Sequence, residues 1–138
     1  MSENTSMSLL DTQATPVAHT FQPISTINGI AAYRDDDQAQ TVGLRPTVTA
    51  SLRQGSLGNV QTRAQRVKRR VVLKVMVPFQ PPAVDGITPA VDTCEVEMRI
   101  SLPLDAPVLS VNDCIKYART AVDTAPIYNM VRDGEFPY

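Results

Sequence analysis

The sequence predicts an α+β chain: an antiparallel β-sheet with an N-terminal hairpin, followed by two α-helices. Three observations carry this. Segments 47–53, 68–77 and 93–102 alternate apolar and polar residues with a period of two, the signature of strands with one greasy face. Beyond Pro103 and Pro107 the apolar period lengthens to that of a helix. Within the strand regime lies a concentration of cations, Arg63, Arg66, Lys68, Arg69 and Arg70, leading straight into the apolar run Val71–Val77.

The bulk properties frame what such a chain can do. With 138 residues, 43% of them apolar, it has material for one domain with one modest core. The formal net charge of −1 conceals a strong asymmetry: residues 38–84 contain no acid and eight bases, Arg45, Arg53, Arg63, Arg66, Lys68, Arg69, Arg70 and Lys74. A neutral chain with a cationic middle carries the footprint of a polyanion-binding surface. Taken alone, the run 63–70 reads equally well as a solvated charge cluster.

Cys94 and Cys114 are too few and too far apart for a disulfide framework or a C-x-x-C metal site, and both fall in apolar phases, which predicts small buried hydrophobes. His19 is the single histidine, so catalytic dyads and zinc sites have almost no material. The inventory therefore argues against an enzyme, and no catalytic residue, metal ligand or cofactor is assigned. No basic-then-apolar leader and no bilayer-length apolar run occurs, which predicts an intracellular protein without a membrane partner.

In chain order, residues 1–15 are polar and predict a flexible start. Residues 16–103 are β-rich, and 108–134 form a helical tail. Val17, Phe21, Ile24 and Ile27, spaced among Pro23 and Asn28-Gly29, predict the N-terminal hairpin. Ile30–Arg34 is a short strand closed by Asp35-Asp36-Asp37, whose mutual repulsion predicts a loop.

In 47–53, Val48, Ala50 and Leu52 face one way, and Thr47, Thr49, Ser51 and Arg53 the other. Residues 54–62, with Gly55 and Gly58, form a turn region. In the central strand Val71, Leu73, Val75 and Val77 oppose Lys68, Arg70, Val72, Lys74 and Met76, and Pro78 should end it. Pro81, Pro82, Gly86 and Pro89 make 79–91 a long irregular loop, a kind of segment usually functional or mobile. In 93–102, Cys94, Val96, Met98, Ile100 and Leu102 oppose Thr93, Glu95, Glu97, Arg99 and Ser101.

Ser110 and Asp113 suggest a capping box. Val111, Cys114, Ile115, Ala118, Ala121 and Val122 form a helical stripe, and Pro126 and Gly134 bound a second helix. The helices are available to cover the apolar sheet face. Nothing remains to cover the face bearing Arg53, Arg70, Lys74 and Arg99, which predicts an open platform for phosphates. No aromatic residue lies on that face, so base stacking of the kind seen on recognition-motif sheets has no support.

The order of these elements resembles the coat proteins of the small single-stranded RNA bacteriophages. The matching stretches are NGIAAY at 28–33, VTASLRQ at 48–54, the basic run into VVLKVMVP at 71–78, EVEMRISLP at 95–103, the two-helix tail and Pro137-Tyr138. The resemblance implies a homodimer with edge-to-edge sheets and helices clasping the partner. It further implies an icosahedral shell enclosing viral single-stranded RNA, contact with the phage maturation protein, and residence in a virion assembled in the bacterial cytoplasm.

It also implies binding of an RNA hairpin at the replicase start, with repression of translation. By position, the RNA-facing residues are Thr49, Ser51, Arg53, Arg70, Val72, Lys74, Glu95, Glu97, Arg99 and Ser101, to which the basic residues Arg63, Arg66 and Lys68 are added. The family's base-stacking tyrosine and base-bonding asparagine are replaced here by Glu95 and Glu97, and a hydroxyl by Val72. A cellular RNA-binding regulator with a basic β-sheet platform is the alternative reading.

Overall fold

Each of the period-two stretches forms a strand in the computed structural model, which describes residues 6–10, 15, 17–36, 41–54 and 68–134. Arg63, Arg66, the turn region 55–62 and Pro137-Tyr138 lie outside the described residues. The chain divides into two units, Met1–Ser101 and Leu102–Tyr138.

The first unit is a single six-stranded antiparallel meander in which every strand neighbours its predecessor: β1 (Met7–Leu10), β2 (Ala18–Ile27), β3 (Ile30–Asp35), β4 (Thr47–Gln54), β5 (Lys68–Phe79) and β6 (Asp92–Pro103). The irregular start expected for 1–15 does not extend to Met7–Leu10, which pair with Ala18–Phe21. Pairing to β2 supplies the order that the local sequence does not announce.

The expected hairpin turns at Asn28 and Gly29, whose φ of 54° and 74° give the doubly left-handed connection that matches strand twist. Gly29 is required for a second reason. A Cβ there would stand 3.3 Å from the Leu52 carbonyl oxygen, because the Leu52 N–H donates to the Gly29 carbonyl at 3.1 Å. Farther along β2 the register slips between Pro23 and Ser25, a bulge at the one position unable to donate.

The register fixes which side chains share a face. Val48 opposes Tyr33 and Val75, Ala50 opposes Ala31 and Leu73, and Leu52 opposes Val71. Phe21 and Asp35 are direct partners on this apolar side. Among the described residues, Phe21 and Val48 are the buried hydrophobes. Asp35 corrects one expectation: it is the last residue of β3, not a loop carboxylate, and is only 2% exposed. His19, two residues before Phe21 on the same face, brings Nδ1 to 2.8 Å from Asp35 Oδ2, and the Asp35 N–H donates to the Pro46 carbonyl at 3.0 Å. Burying a carboxylate requires a hydrogen-bond donor, and His19 is placed to be one.

Pro78 does not end β5, which runs on to Phe79. Pairing with β4 stops at Thr47 and Met76, so that neighbour asks for no N–H from residue 78. The stretch 80–91 is also more ordered than its breakers suggest. Val84 and Ile87 exchange backbone hydrogen bonds of 3.0 and 2.9 Å around Asp85 (φ 51°) and Gly86 (φ 76°), and the Gln80 amide donates to the Pro89 carbonyl at 2.6 Å. Asp-Gly is itself a signal for this turn.

In the second unit, α1 (Val108–Asp123) starts earlier than the capping-box reading. Pro107 is its N-cap with no side-chain bond, and Ser110 lies inside the helix. The reason is backbone rather than side chain: Pro107, with ψ of 140°, leads directly into helical geometry, and its carbonyl accepts from the Val111 N–H at 3.1 Å. Thr124, at φ −75° and ψ 142°, ends α1 and caps α2 (Ala125–Asp133). Pro126 occupies the first turn and Gly134 closes α2 in the left-handed conformation at φ 70°, as the sequence predicts.

Much apolar surface stays open in a single copy. Leu52 is 53% and Val96 60% exposed on the sheet, and neither helix has a buried residue. The predicted burial of Cys94 and Cys114 does not hold: both keep their apolar phase, but both are exposed.

Candidate nucleic-acid interface

The opposite face of the sheet is built by the other phase of the same register. Thr49 pairs directly with Lys74, Ser51 with Val72, and Arg53 with Arg70. Lys68 follows in the same phase at the start of β5. Ala32 opposes Thr49 and Ile30 opposes Ser51, which continues the face into β3. Lys74 Nζ lies 2.9 Å from Glu95 Oε2, so the Glu95 phase of β6 belongs to this side, and alternation brings Glu97, Arg99 and Ser101 with it.

The face encloses a groove of about 600 Å³ lined by Asn28, Gly29, Ile30, Ser51, Arg53, Arg70, Val72, Glu97, Arg99 and Ser101, among others. Its cations are not equivalent. Lys74 is bridged to Glu95, and Arg99 donates through Nε to Glu97 on its own strand. Arg53 and Arg70 face each other across the β4–β5 ladder and have no ionic or hydrogen-bond partner among the described residues. Like charges directly opposed on a sheet repel, so this pair is a local cost unless an anion bridges it.

Of the sequence-assigned residues, Thr49, Ser51, Arg53, Lys68, Arg70, Lys74, Glu95, Glu97, Arg99 and Ser101 therefore share one face, while Arg63 and Arg66 lie outside the described residues. One cation escaped the sequence reading. Arg34 opposes Thr47 and joins the same face, but its signal, a lone arginine at the end of a short strand, gains meaning only from register. Among the described residues no group of His, Cys, Asp and Glu is placed to hold a metal ion. No helix there is long and apolar enough to cross a membrane.

A family model described as Levivirus coat protein matches residues 2–138. The chain belongs to that family. It is thus a viral coat protein, a structural rather than an enzymatic family. Solved structures share the fold. The virus-like particle of bacteriophage ESE058 superposes with a TM-score of 0.83 at 21% identity, covering 99% of this chain and 100% of that one. The virus-like particle of bacteriophage NT-214 gives 0.78 at 22% identity, with 99% and 100% covered. An unassembled bacteriophage coat protein dimer, described as an RNA-binding dimer, gives 0.67 at 20% identity, with 98% of each chain covered. No curated protein sequence matches the coat protein.

Proposed function

We propose that this coat protein forms interlocked homodimers that assemble into an icosahedral shell and hold viral single-stranded RNA against the polar face of the sheet. The observation that carries the reading is the open β6 edge beside an uncovered apolar face. Among the described residues β6 is a terminal strand of 12 residues, whereas the other edge, β1, has 4. A long unpaired edge is a template for another strand, and the half-exposed Leu52 and Val96 next to it need cover that one copy does not supply. Pairing β6 with its symmetry mate answers the first demand, and the partner's helices answer the second. The similar solved structures include a coat protein dimer and virus-like particles, which supports this arrangement.

Arg53, Arg70, Lys74 and Arg99 on the other face then turn toward the genome, with Lys68 following in the same phase, and the basic residues Arg63 and Arg66, outside the described residues, add to the RNA-binding charge. Phosphate contact by basic side chains gives packaging without base readout. Thr49, Ser51 and Ser101 supply hydroxyls with which the same face would hold a hairpin as translational repressor, and the maturation protein would join the assembled shell in the host cytoplasm.

Size-exclusion chromatography with light scattering and negative-stain microscopy on the purified chain tests the reading. Closed particles containing RNA are expected, and a stable monomer at micromolar concentration would sink it. Competition between a replicase-start hairpin and a scrambled oligonucleotide tests the repressor role separately.

A further inference from the structure

We propose that Glu95 and Glu97 are charge masks: they silence Lys74 and Arg99 toward RNA and leave phosphate binding within the groove to the Arg53–Arg70 pair at its hairpin end. The inference rests on the reading of this face as the RNA surface and concerns which of its cations count.

The partition follows from geometry. Lys74 and Glu95 form an ion pair at 2.9 Å across β5 and β6, and both side chains are partly exposed, at 33% and 44%. Such a pair is weak enough to open. Opening it nevertheless gains little for a polyanion, because the approaching phosphate meets a net neutral pair and must lie beside the abandoned carboxylate. Arg99 is in the same position with Glu97, which accepts its Nε–H.

At Arg53 and Arg70 every term reverses. The two guanidiniums are direct cross-strand partners and lack any carboxylate among the described residues, so a bridging phosphate relieves their repulsion as well as pairing with each. Both line the groove, and Ser51 beside them offers a hydroxyl to the same phosphate. Of the four cations on the groove side of β4, β5 and β6 that the sequence singles out, Arg53 and Arg70 are thus the effective phosphate contacts beside the masked Lys74 and Arg99, with Lys68 and Arg34 farther along the same face, and the masked half directs the RNA backbone along β4 and β5 rather than across β6.

Salt dependence reads this directly, since each phosphate neutralised on a single strand contributes about −0.7 to the slope of log K against log salt. Binding of a labelled single-stranded oligouridylate is measured by anisotropy on the nucleic-acid-free full chain. The Arg53→Ala/Arg70→Ala variant should flatten the slope by about 1.4, from two such contacts. Lys74→Ala should leave it unchanged. Glu95→Gln should bind more tightly and steepen the slope by about 0.7 as Lys74 is released, while Glu95→Asp should behave like the parent chain. Circular dichroism should be the same for all four, and the opposite signs at positions 70 and 95 are not produced by a folding defect.

If Lys74→Ala flattens the slope as much as Arg70→Ala does, or Glu95→Gln changes nothing, the masks do not exist although the RNA face stands. If the parent chain itself shows no salt-dependent binding, the RNA face falls and the masks with it.

Discussion

The two faces of the one sheet are drawn from the same strands, yet they obey different rules. On one, Phe21, Val48, Leu73 and Val75 sit in register and contribute by being removed from water. On the other, Arg53, Arg70, Lys74 and Glu95 sit equally in register and contribute by remaining in it. The first face is incomplete in a single copy, with Val96 and Leu52 still half exposed. The second is electrostatically uneven, with Arg99 on β6 and Lys74 on β5 paired to carboxylates, and Arg53 on β4 and Arg70 on β5 without a carboxylate among the described residues. The apolar face asks for a partner that excludes water, and the polar face for a partner that carries charge.

The contrast can be broken from either side. The largest effect is expected from Phe21→Ala, which opens a cavity in the small apolar centre and should cost about 3–5 kcal/mol in denaturant unfolding. Arg53→Ala/Arg70→Ala, two residues of the opposite face, should stay within about 0.5 kcal/mol of the parent or gain slightly, since repulsion is removed. Equal losses from the two variants would mean the faces are not distinct.

Val96→Lys tests the unsatisfied part of the apolar face. It should leave the circular dichroism of the chain intact but abolish particles in negative stain. A normal particle yield would show that Val96 stays in solvent after assembly.

His19→Ala sharpens the picture at a polar exception on the apolar side. It removes a donor from a carboxylate that is 2% exposed, and should lower stability by about 1.5–3 kcal/mol, the range for a bond to a charged group. A smaller loss is expected from Gly29→Ala, about 1–2 kcal/mol, because a Cβ at φ 74° is strained and crowds the Leu52 carbonyl.

The smallest effect belongs to an exposed pair in the helical unit. Arg132 donates to Asp133 and holds its carboxyl below the ordinary range, while the Arg132 guanidinium also lies 5.3 Å from the Tyr128 ring. Any stability from a depressed carboxyl is present above its unfolded value and lost as pH falls through the folded one. Both groups are solvent-exposed, so Asp133→Asn should give no resolvable change in Tm between pH 3 and 7.

Alternation over 47–53, 68–77 and 93–102 was enough to assign strands and the side each residue takes, because a period of two depends only on neighbours along one chain. For the same reason the helical stripe, Pro126 and Gly134 were legible, as were the cations of the polar face. What the chain could not announce was anything requiring a second strand. Met7–Leu10 has no alternation of its own and becomes β1 only by pairing with β2. Asp35 is a solvent-seeking carboxylate by sequence and a buried one by virtue of His19, sixteen positions away.

The partition of the cations is of this kind too. Arg53, Arg70, Lys74 and Arg99 are alike as residues in polar phases. Only the pairing of β4 with β5 and of β5 with β6 sets Arg53 against Arg70 and Lys74 against Glu95. Local sequence sets the direction of a side chain, but charge acts through space, and the distances that decide which cation is free exist only once the strands are laid side by side.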